Sequence, residues 1–145
     1  MTAYLDTSSL VKVYIDEAGS DDVRRLLEHT TITTSAVAYA ETRAALARLR
    51  RSGVLSSAAL AAVKRQFDAD WTAFVSIVAD DELCRAAGRL AELHGLRGFD
   101  AIHLASYLEV VRRASPSPVA FSSFDERLAR AATAAVRTAG RRKRQ

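Results

Sequence analysis

The sequence predicts an α/β domain in which a parallel sheet is wrapped by helices. Short β-like runs alternate with longer helical patterns along the chain, and this alternation is typical of parallel sheets with helical crossovers. The chain has 145 residues, which is the length of one ordinary domain. It has no internal repeat, and its composition does not change before residue 137. We therefore expect a single folded domain.

Turn and cap residues separate the predicted elements. Strands are predicted at residues 3–5, 31–34, 74–78 and 119–122, and the second of these consists entirely of β-branched residues. Helices are predicted at residues 8–15, from residue 20, and at 36–51, 57–71, 80–94, 98–114 and 124–136. Ser20 is expected to cap the second helix, and Gly95 to close the fifth. The Ser-Pro-Ser-Pro turn at residues 115–118 is expected to end the sixth.

Cysteine usage and hydropathy exclude several classes of protein. The single Cys84 excludes an internal disulfide, and one cysteine with three scattered histidines excludes a zinc ribbon or finger. No apolar run approaches the roughly 18 residues of a transmembrane helix. The first residues lack the basic and hydrophobic regions of a signal peptide. We therefore expect a protein of the reducing cytoplasm that has no membrane segment.

The net charge of +4 is concentrated at the carboxyl end of the chain. Residues 1–136 carry 16 basic against 17 acidic residues, and the last nine residues carry five more basic ones. These five are Arg137, Arg141, Arg142, Lys143 and Arg144. We interpret residues 1–136 as the folded domain and residues 137–145 as a basic tail. Such a tail is suited to a polyanion such as nucleic acid, and the alternative is a solvated terminus with no binding role.

Four acidic residues stand where the predicted fold brings them together. Asp6 follows the first strand and Asp125 follows the fourth, and open parallel sheets bind ligands beyond the carboxyl ends of their strands. Glu41 lies on a helical face that is otherwise apolar, where an unpaired carboxylate is costly. Asp100 stands in the first turn of another apolar helix, on a face that is expected to pack inward. The sequence thus directs attention to one edge of the sheet.

Each acid taken alone also has a purely structural explanation. An aspartate in the first turn of a helix is commonly a cap, and Ser123 with Glu126 would form a capping box. Glu41 has the alternative of a buried ion pair. As a group, however, the acids repel, since two like charges about 4 Å apart cost about 4 kcal/mol at an effective dielectric of about 20. Such a cluster either binds protons or holds a hard cation, and carboxylates favour Mg²⁺ or Mn²⁺, which suit phosphoryl chemistry.

Four segments of the chain, in order, resemble the acidic motifs of a nuclease family. They are Tyr4-Leu5-Asp6-Thr7-Ser8-Ser9-Leu10-Val11-Lys12, Ser35-Ala36-Val37-Ala38-Tyr39-Ala40-Glu41, Gly98-Phe99-Asp100-Ala101-Ile102-His103-Leu104-Ala105 and Ser123-Phe124-Asp125-Glu126-Arg127-Leu128. Their order and spacing are similar to those of the PIN-domain ribonucleases, and more narrowly of VapC-type toxins from bacterial toxin–antitoxin pairs. The resemblance spans about residues 2–136. It implies a three-layer PIN-like domain with a parallel sheet of four to five strands, the fifth lying around Val136.

The resemblance also implies a role for each matching acid. Asp6, Glu41 and Asp100 would be the metal ligands. Asp125 would be the fourth catalytic acid, binding through water or to a second ion. The reaction implied is metal-dependent hydrolysis of RNA, in which a water activated by Mg²⁺ or Mn²⁺ attacks phosphorus in line. This chemistry would leave 5′-phosphate and 3′-hydroxyl ends.

Two serines and several basic residues complete the candidate site. The resemblance implies that the hydroxyls of Ser8 and Ser123 orient the metal or a water. Arg97 precedes the third motif, where it would contact either an RNA phosphate or a carboxylate. The candidate RNA-binding residues are Arg97, Arg141, Arg142, Lys143 and Arg144. His103 lies in an Ala- and Leu-rich helix and is interpreted as a packing residue.

The resemblance further implies macromolecular partners. These are the RNA substrate, a cognate VapB-like antitoxin that covers the acidic site, a homodimer and a toxin–antitoxin hetero-oligomer. One alternative is an inactive PIN-like scaffold that binds RNA or protein, but such a scaffold normally lacks one or more acids. The other is a different Mg²⁺-dependent phosphoryl-transfer enzyme that uses Asp6 as its nucleophile. That chemistry usually needs a second aspartate at the position that Ser8 occupies.

Overall fold

The computed structural model describes residues 1–142 of the chain. Its strands are β1 (Thr2–Leu5), β2 (Thr31–Ser35), β3 (Val75–Ile77) and β4 (Val119–Ser122). Its helices are α1 (Thr7–Tyr14), α2 (Ser20–Leu27), α3 (Val37–Arg51), α4 (Ser57–Trp71), α5 (Asp81–His94), α6 (Gly98–Ala114) and α7 (Glu126–Arg142). The four strands predicted from the sequence pattern are present, with bounds within one residue of those predicted. No helix in this part of the chain combines the length and the apolar character that a membrane crossing requires.

The four strands form one parallel sheet in the order β3-β2-β1-β4. Because successive side chains of a strand point to opposite faces, the central strand β1 contributes to two cores. Tyr4 packs on one face with buried residues of α5, α6 and α7. Ala3 and Leu5 pack on the other face with buried residues of α1, α2, α3 and α4. A layer of helices therefore covers each face of the sheet, which confirms the predicted three-layer α/β class.

The last helix reaches further than the sequence predicts. It begins at Glu126 and continues to Arg142, whereas residues 124–136 are predicted. Val136 lies inside α7, so the expectation of a fifth strand there is wrong. The helix persists because Ala131, Ala132 and Ala135 bury one side of it in the core and because the following residues include good helix formers. The helix therefore continues across the predicted boundary between residues 136 and 137. The division into a folded domain and a basic tail stays a prediction.

The entry to α2 also differs from the expectation. Gly19, with φ of 89°, precedes the helix, and Ser20 is its first residue rather than its cap. Only glycine adopts this backbone conformation without a steric cost. The Ser20 hydroxyl instead closes the preceding turn, because it donates to Ile15 O at 2.6 Å and accepts from Glu17 N at 3.1 Å.

The carboxyl ends of β1 and β4 meet at one edge of the sheet. Asp6 N donates to Ser122 O at 3.2 Å, which extends the β1–β4 pairing by one residue. Directly beyond this bond, the hydroxyl oxygens of Ser9 and Ser122 lie 2.8 Å apart. The first and fourth acidic motifs leave the sheet here, so the fold brings the two ends of the chain's acidic pattern into contact.

Candidate active site

Asp6 is the most tightly held of the four acids. Its carboxylate is buried, and the residue caps the amino end of α1. Oδ1 accepts from Ser9 N at 3.0 Å and from Ser8 Oγ at 2.7 Å. Oδ2 accepts from Ser123 Oγ at 2.5 Å. Three donors from two segments of the chain therefore fix both carboxylate oxygens in place.

Ser8 and Ser123 each connect Asp6 to the loop between β4 and α7. The Ser8 hydroxyl, which donates to Asp6, also accepts from Phe124 N at 2.9 Å. The Ser123 hydroxyl, which also donates to Asp6, accepts from Asp125 N at 3.1 Å. The structure thus brings both serines onto the first acid, where the sequence places them.

Asp125 caps α7, but the predicted capping box is absent from the described residues. Asp125 Oδ1 accepts from Leu128 N at 2.9 Å, so this aspartate satisfies the amide that a cap residue would satisfy. The Ser123 hydroxyl bonds to Asp6 rather than pairing with Glu126, so the expectation of a Ser123–Glu126 box is wrong. The reason is geometric, because Ser123 still lies at the strand end beside Asp6, two residues before the helix cap.

Glu41 reaches the same region from α3. Its Oε1 accepts from Thr7 Oγ1 at 2.8 Å and from His103 Nε2 at 2.7 Å. Partial burial acts to raise the pKa of Glu41, but the hydrogen bond and charge of His103 outweigh it, with help from Thr7. The pKa of Glu41 therefore lies below its ordinary value, and the carboxylate remains ionised at neutral pH.

His103 is a polar partner of the site, so the interpretation as a packing residue alone is wrong. The imidazole is buried, and its Nδ1 lies 2.9 Å from Tyr4 Oη while its Nε2 contacts Glu41. A neutral or charged imidazole can meet both partners because each ring nitrogen faces one of them. The signal in the sequence was the spacing of three residues from Asp100, which places both on one side of α6. The sequence also did not predict that Thr7, the first residue of α1, contacts Glu41.

Asp100 lies in the first turn of α6, and its surroundings raise its pKa. Burial is the largest cause, and the negative charges of Asp125 and Asp6 add to it. The charges of His103 and Arg97 act in the opposite direction. The charges of Asp125 and Asp6 therefore act on Asp100, and burial has the larger effect on its pKa.

The donor chemistry of these residues fits a hard divalent cation. Carboxylates and hydroxyls are the oxygen ligands that Mg²⁺ and Mn²⁺ prefer, and a cation would relieve the repulsion felt by Asp100. Within residues 1–142, no three His, Cys, Asp or Glu side chains are grouped closely enough to coordinate an ion together. In this structure the oxygens of Asp6 and Glu41 accept hydrogen bonds from serine, threonine and histidine.

The candidate RNA-binding residues are less fully described. Arg97 is exposed just before α6, and its charge lowers the pKa of Asp100, which places it beside the acids. Arg141 is exposed near the end of α7, and the backbone of Arg142 ends that helix. Lys143 and Arg144 lie outside the described residues. A role for the tail in binding RNA stays a prediction.

A cleft of about 580 Å³ lies elsewhere on the molecule, between β3, α5 and α6. Ile77, Leu83 and Leu108 are among its apolar lining residues, and Glu109 and Arg112 are among its charged ones. None of the four acids lines it. The acidic edge is therefore not part of this cleft.

Comparisons with known proteins agree with the motifs. The family model of the PIN domain matches residues 3–134, which include all four acids. Two similar proteins are Ribonuclease VapC45 of Mycobacterium tuberculosis strain CDC 1551 / Oshkosh and Ribonuclease VapC49 of strain ATCC 25618 / H37Rv. Each is 38% identical over 108 residues, or 74% of this chain and 75% of the relative. The chain therefore belongs to the PIN domain family, and within that family it is of the VapC type.

Proposed function

We propose that this protein is a VapC-type toxin, an endoribonuclease that uses Mg²⁺ or Mn²⁺ to hydrolyse phosphodiester bonds in RNA. The observation that carries the proposal is that Asp6, Asp100 and Asp125 lie at one edge of the sheet, where burial first, and then the charges of Asp125 and Asp6, raise the pKa of Asp100. Repulsion between carboxylates is the expected property of a site built for a divalent cation. The two similar mycobacterial proteins are named ribonucleases, which supports the same reaction.

In this proposal Asp6, Glu41 and Asp100 hold the cation, and Asp125 holds it through water or binds a second one. When bound, the cation offsets negative charge on the phosphate oxygens and makes an attacking water more acidic. The chain supplies the positions of the ligands. Asp6 is fixed by its three donors, and Glu41 is kept ionised and oriented by His103 and Thr7.

Water is the nucleophile in this proposal. The hydroxyls of Ser8 and Ser123 both donate to Asp6, so their protons are directed at a carboxylate that also serves as a ligand. In this proposal each serine supports Asp6, and neither hydroxyl acts as the nucleophile that attacks phosphorus. In-line attack by water on the RNA strand then leaves a 5′-phosphate and a 3′-hydroxyl.

The proposal includes the partners that the VapC type implies. A cognate VapB-like antitoxin would neutralise the enzyme by covering the acidic edge. A homodimer and a toxin–antitoxin hetero-oligomer are proposed on the same basis. A cytoplasmic location is proposed because the single Cys84 is compatible with a reducing compartment.

The direct test is cleavage of total cellular RNA by the purified protein, free of antitoxin, with Mg²⁺, Mn²⁺ or EDTA. Asp6→Asn and Asp100→Asn are assayed beside the wild type, and Glu92→Gln, an exposed acid on α5, is the matched control. We expect discrete fragments that require metal, persist in Glu92→Gln and vanish in the other two variants. A folded wild-type protein that cleaves no RNA would support the scaffold alternative, and cleavage by both active-site variants would indicate a contaminating nuclease.

A further inference from the structure

Two phenylalanines are exposed directly beside the acidic edge. Phe99 is 58% exposed and precedes Asp100, and Phe124 is 46% exposed and precedes Asp125. Phenylalanine is normally buried, so two large exposed rings next to acids of one site call for an explanation. Neither ring is part of the buried core clusters in the described part of the chain.

Phe124 is held in place by contacts that lead directly to the acids. Its backbone N–H donates to Ser8 Oγ, whose own proton goes to Asp6. The ring lies against Gly19, where a Cβ would come within 2.5 Å of Phe124 Cε1. A larger residue at position 19 would displace the ring, so glycine there provides the space that the ring occupies.

A cation completes the surroundings of the Phe124 ring. Lys12 Nζ lies 4.5 Å from the ring centroid, within the range of a cation–π contact. The ammonium group is itself fixed by Glu17 Oε1 at 3.0 Å and by Ala18 O at 2.8 Å. The ring thus has ordered neighbours, and the residue is still 46% exposed.

We propose that Phe124 and Phe99 are stacking platforms for unpaired nucleobases of the RNA strand that the acids cleave. This inference rests on the proposed nuclease function and specifies its substrate as single-stranded RNA. Exposed aromatic rings bind any base through its π face, and they require that the base be free of a duplex. The positive charge of Arg97, which is exposed two residues before Phe99, suits the strand's phosphates better than it suits an apolar peptide.

The test separates RNA binding from RNA cleavage. Affinity for a short, unstructured oligoribonucleotide that carries 2-aminopurine is measured by anisotropy in EDTA, and base stacking is followed by 2-aminopurine quenching. We expect Phe124→Ala and Phe99→Ala each to weaken binding about tenfold and to reduce the quenching. Phe124→Trp should retain both signals because it keeps an aromatic surface. Leu93→Ala, at an apolar residue of α5 that is 75% exposed, is the matched control and should change neither.

The RNA backbone without bases provides the second comparison. An oligomer of the same length that is abasic at every position should bind wild type and Phe124→Ala equally, since only stacking differs between them. In cleavage assays with metal, loss of stacking should raise KM and leave kcat nearly unchanged, because it removes binding common to the ground state and the transition state. Thermal unfolding of each variant confirms that it is folded.

Three results would overturn the inference. One is an affinity of both alanine variants within twofold of wild type, and another is an equal loss of affinity for the abasic oligomer. The third is unchanged RNA affinity with lost binding of the antitoxin, which would assign the rings to a protein partner. A wild type that stacks bases but cleaves no RNA with any divalent metal would remove the nuclease proposal and leave the base-binding site, so the two failures are distinguishable.

Discussion

Ser123 donates a 2.5 Å hydrogen bond to Asp6 Oδ2 and so joins two residues that are 117 positions apart in the chain. The bond connects the residue after β4 to the residue after β1, at the edge where these parallel strands end. Ser8 and Ser9 N hold the other oxygen of the same carboxylate. The orientation of Asp6 is therefore set by the sheet itself and by the first turn of α1.

The first prediction concerns this bond. Ser123→Ala removes one of the three donors to Asp6, and we expect Mn²⁺ affinity and kcat/KM for RNA to fall by roughly 10- to 100-fold, as for other groups that orient metal ligands. Ser123→Thr keeps the hydroxyl and should retain most of both. Both quantities are measured on the same preparations, after urea unfolding has shown that each variant is folded. Wild-type metal affinity in Ser123→Ala would contradict this role.

The second prediction follows from the raised pKa of Asp100, which means that its ionised form destabilises the fold. The cost is absent below the unfolded pKa of about 3.9 and appears as pH rises through the folded value. In EDTA at pH 7, Asp100→Asn should therefore be more stable than wild type, by up to about 1 kcal/mol after solvent screening.

Urea unfolding at neutral pH and near pH 4 checks this prediction. The stability difference between Asp100→Asn and wild type should shrink at the lower pH. Glu92→Gln, at an exposed acid outside the candidate site, should change the free energy of unfolding little at either pH. Adding Mg²⁺ should stabilise wild type more than Asp100→Asn. A variant that is less stable than wild type at pH 7 in EDTA would contradict the raised pKa of Asp100.

The sequence could predict which acids meet, because their places follow from topology. Asp6 directly follows β1 and Asp125 lies three residues after the end of β4, and parallel strands end at the same edge of a sheet. The predicted strands agree with the observed ones, and the sheet is parallel throughout. The hydrophobic periodicity and the positions of the strand ends thus predicted the fold and the edge of the sheet where the candidate site lies.

The partners of each acid could not be predicted in the same way. His103 and Thr7 meet Glu41 across 62 and 34 positions of chain, and such pairs depend on how α1, α3 and α6 pack together. The Ser123 hydroxyl points to Asp6 Oδ2, 2.5 Å away, and rules for helix caps consider only residues close in sequence. They therefore could not predict this bond. The continuation of α7 to Arg142 was not predicted because the basic run from residue 137 indicates a tail as readily as a helix end.

A third prediction concerns stability at low pH, away from the acidic edge. Glu109 accepts hydrogen bonds from Arg112 at 2.8 and 2.6 Å and from Arg113 at 2.7 Å. Chiefly through Arg112, and against the opposing effect of burial, these arginines lower the pKa of Glu109 to about 2. The stabilisation is complete above the unfolded pKa of about 4.3 and is lost as pH falls towards 2.

Glu109→Gln should therefore be less stable than wild type at neutral pH, by at most about 1 kcal/mol because both arginines are largely exposed. The difference should decline below about pH 4, and high salt should reduce it at pH 7. Urea unfolding across this range measures both effects. A difference that is unchanged between neutral and acidic pH would contradict the ion pairs as its source.

The fourth prediction tests the basic tail. Replacing Arg141, Arg142, Lys143 and Arg144 together by Gln should weaken RNA affinity and lower the dependence of log K on log salt concentration. Each lost phosphate contact reduces the slope by about 0.7 for a single strand, so the change is up to about 3. Replacing Arg65, Arg85 and Arg89 of α4 and α5 by Gln is the control. Equal salt slopes for tail variant and wild type would refute a binding role, and metal affinity should be the same in both.

The central claim is that four carboxylates from separate parts of the chain hold one divalent-cation site. Titration of the purified wild type with Mn²⁺, followed by the loss of the free-ion EPR signal, tests it most directly. We predict saturable binding that weakens at least about tenfold in Asp6→Asn and Asp100→Asn, as expected when one ligand of a cation is lost, and stays unchanged in Glu92→Gln. Binding that is equal in all four proteins, or absent from a folded wild type, would contradict the account.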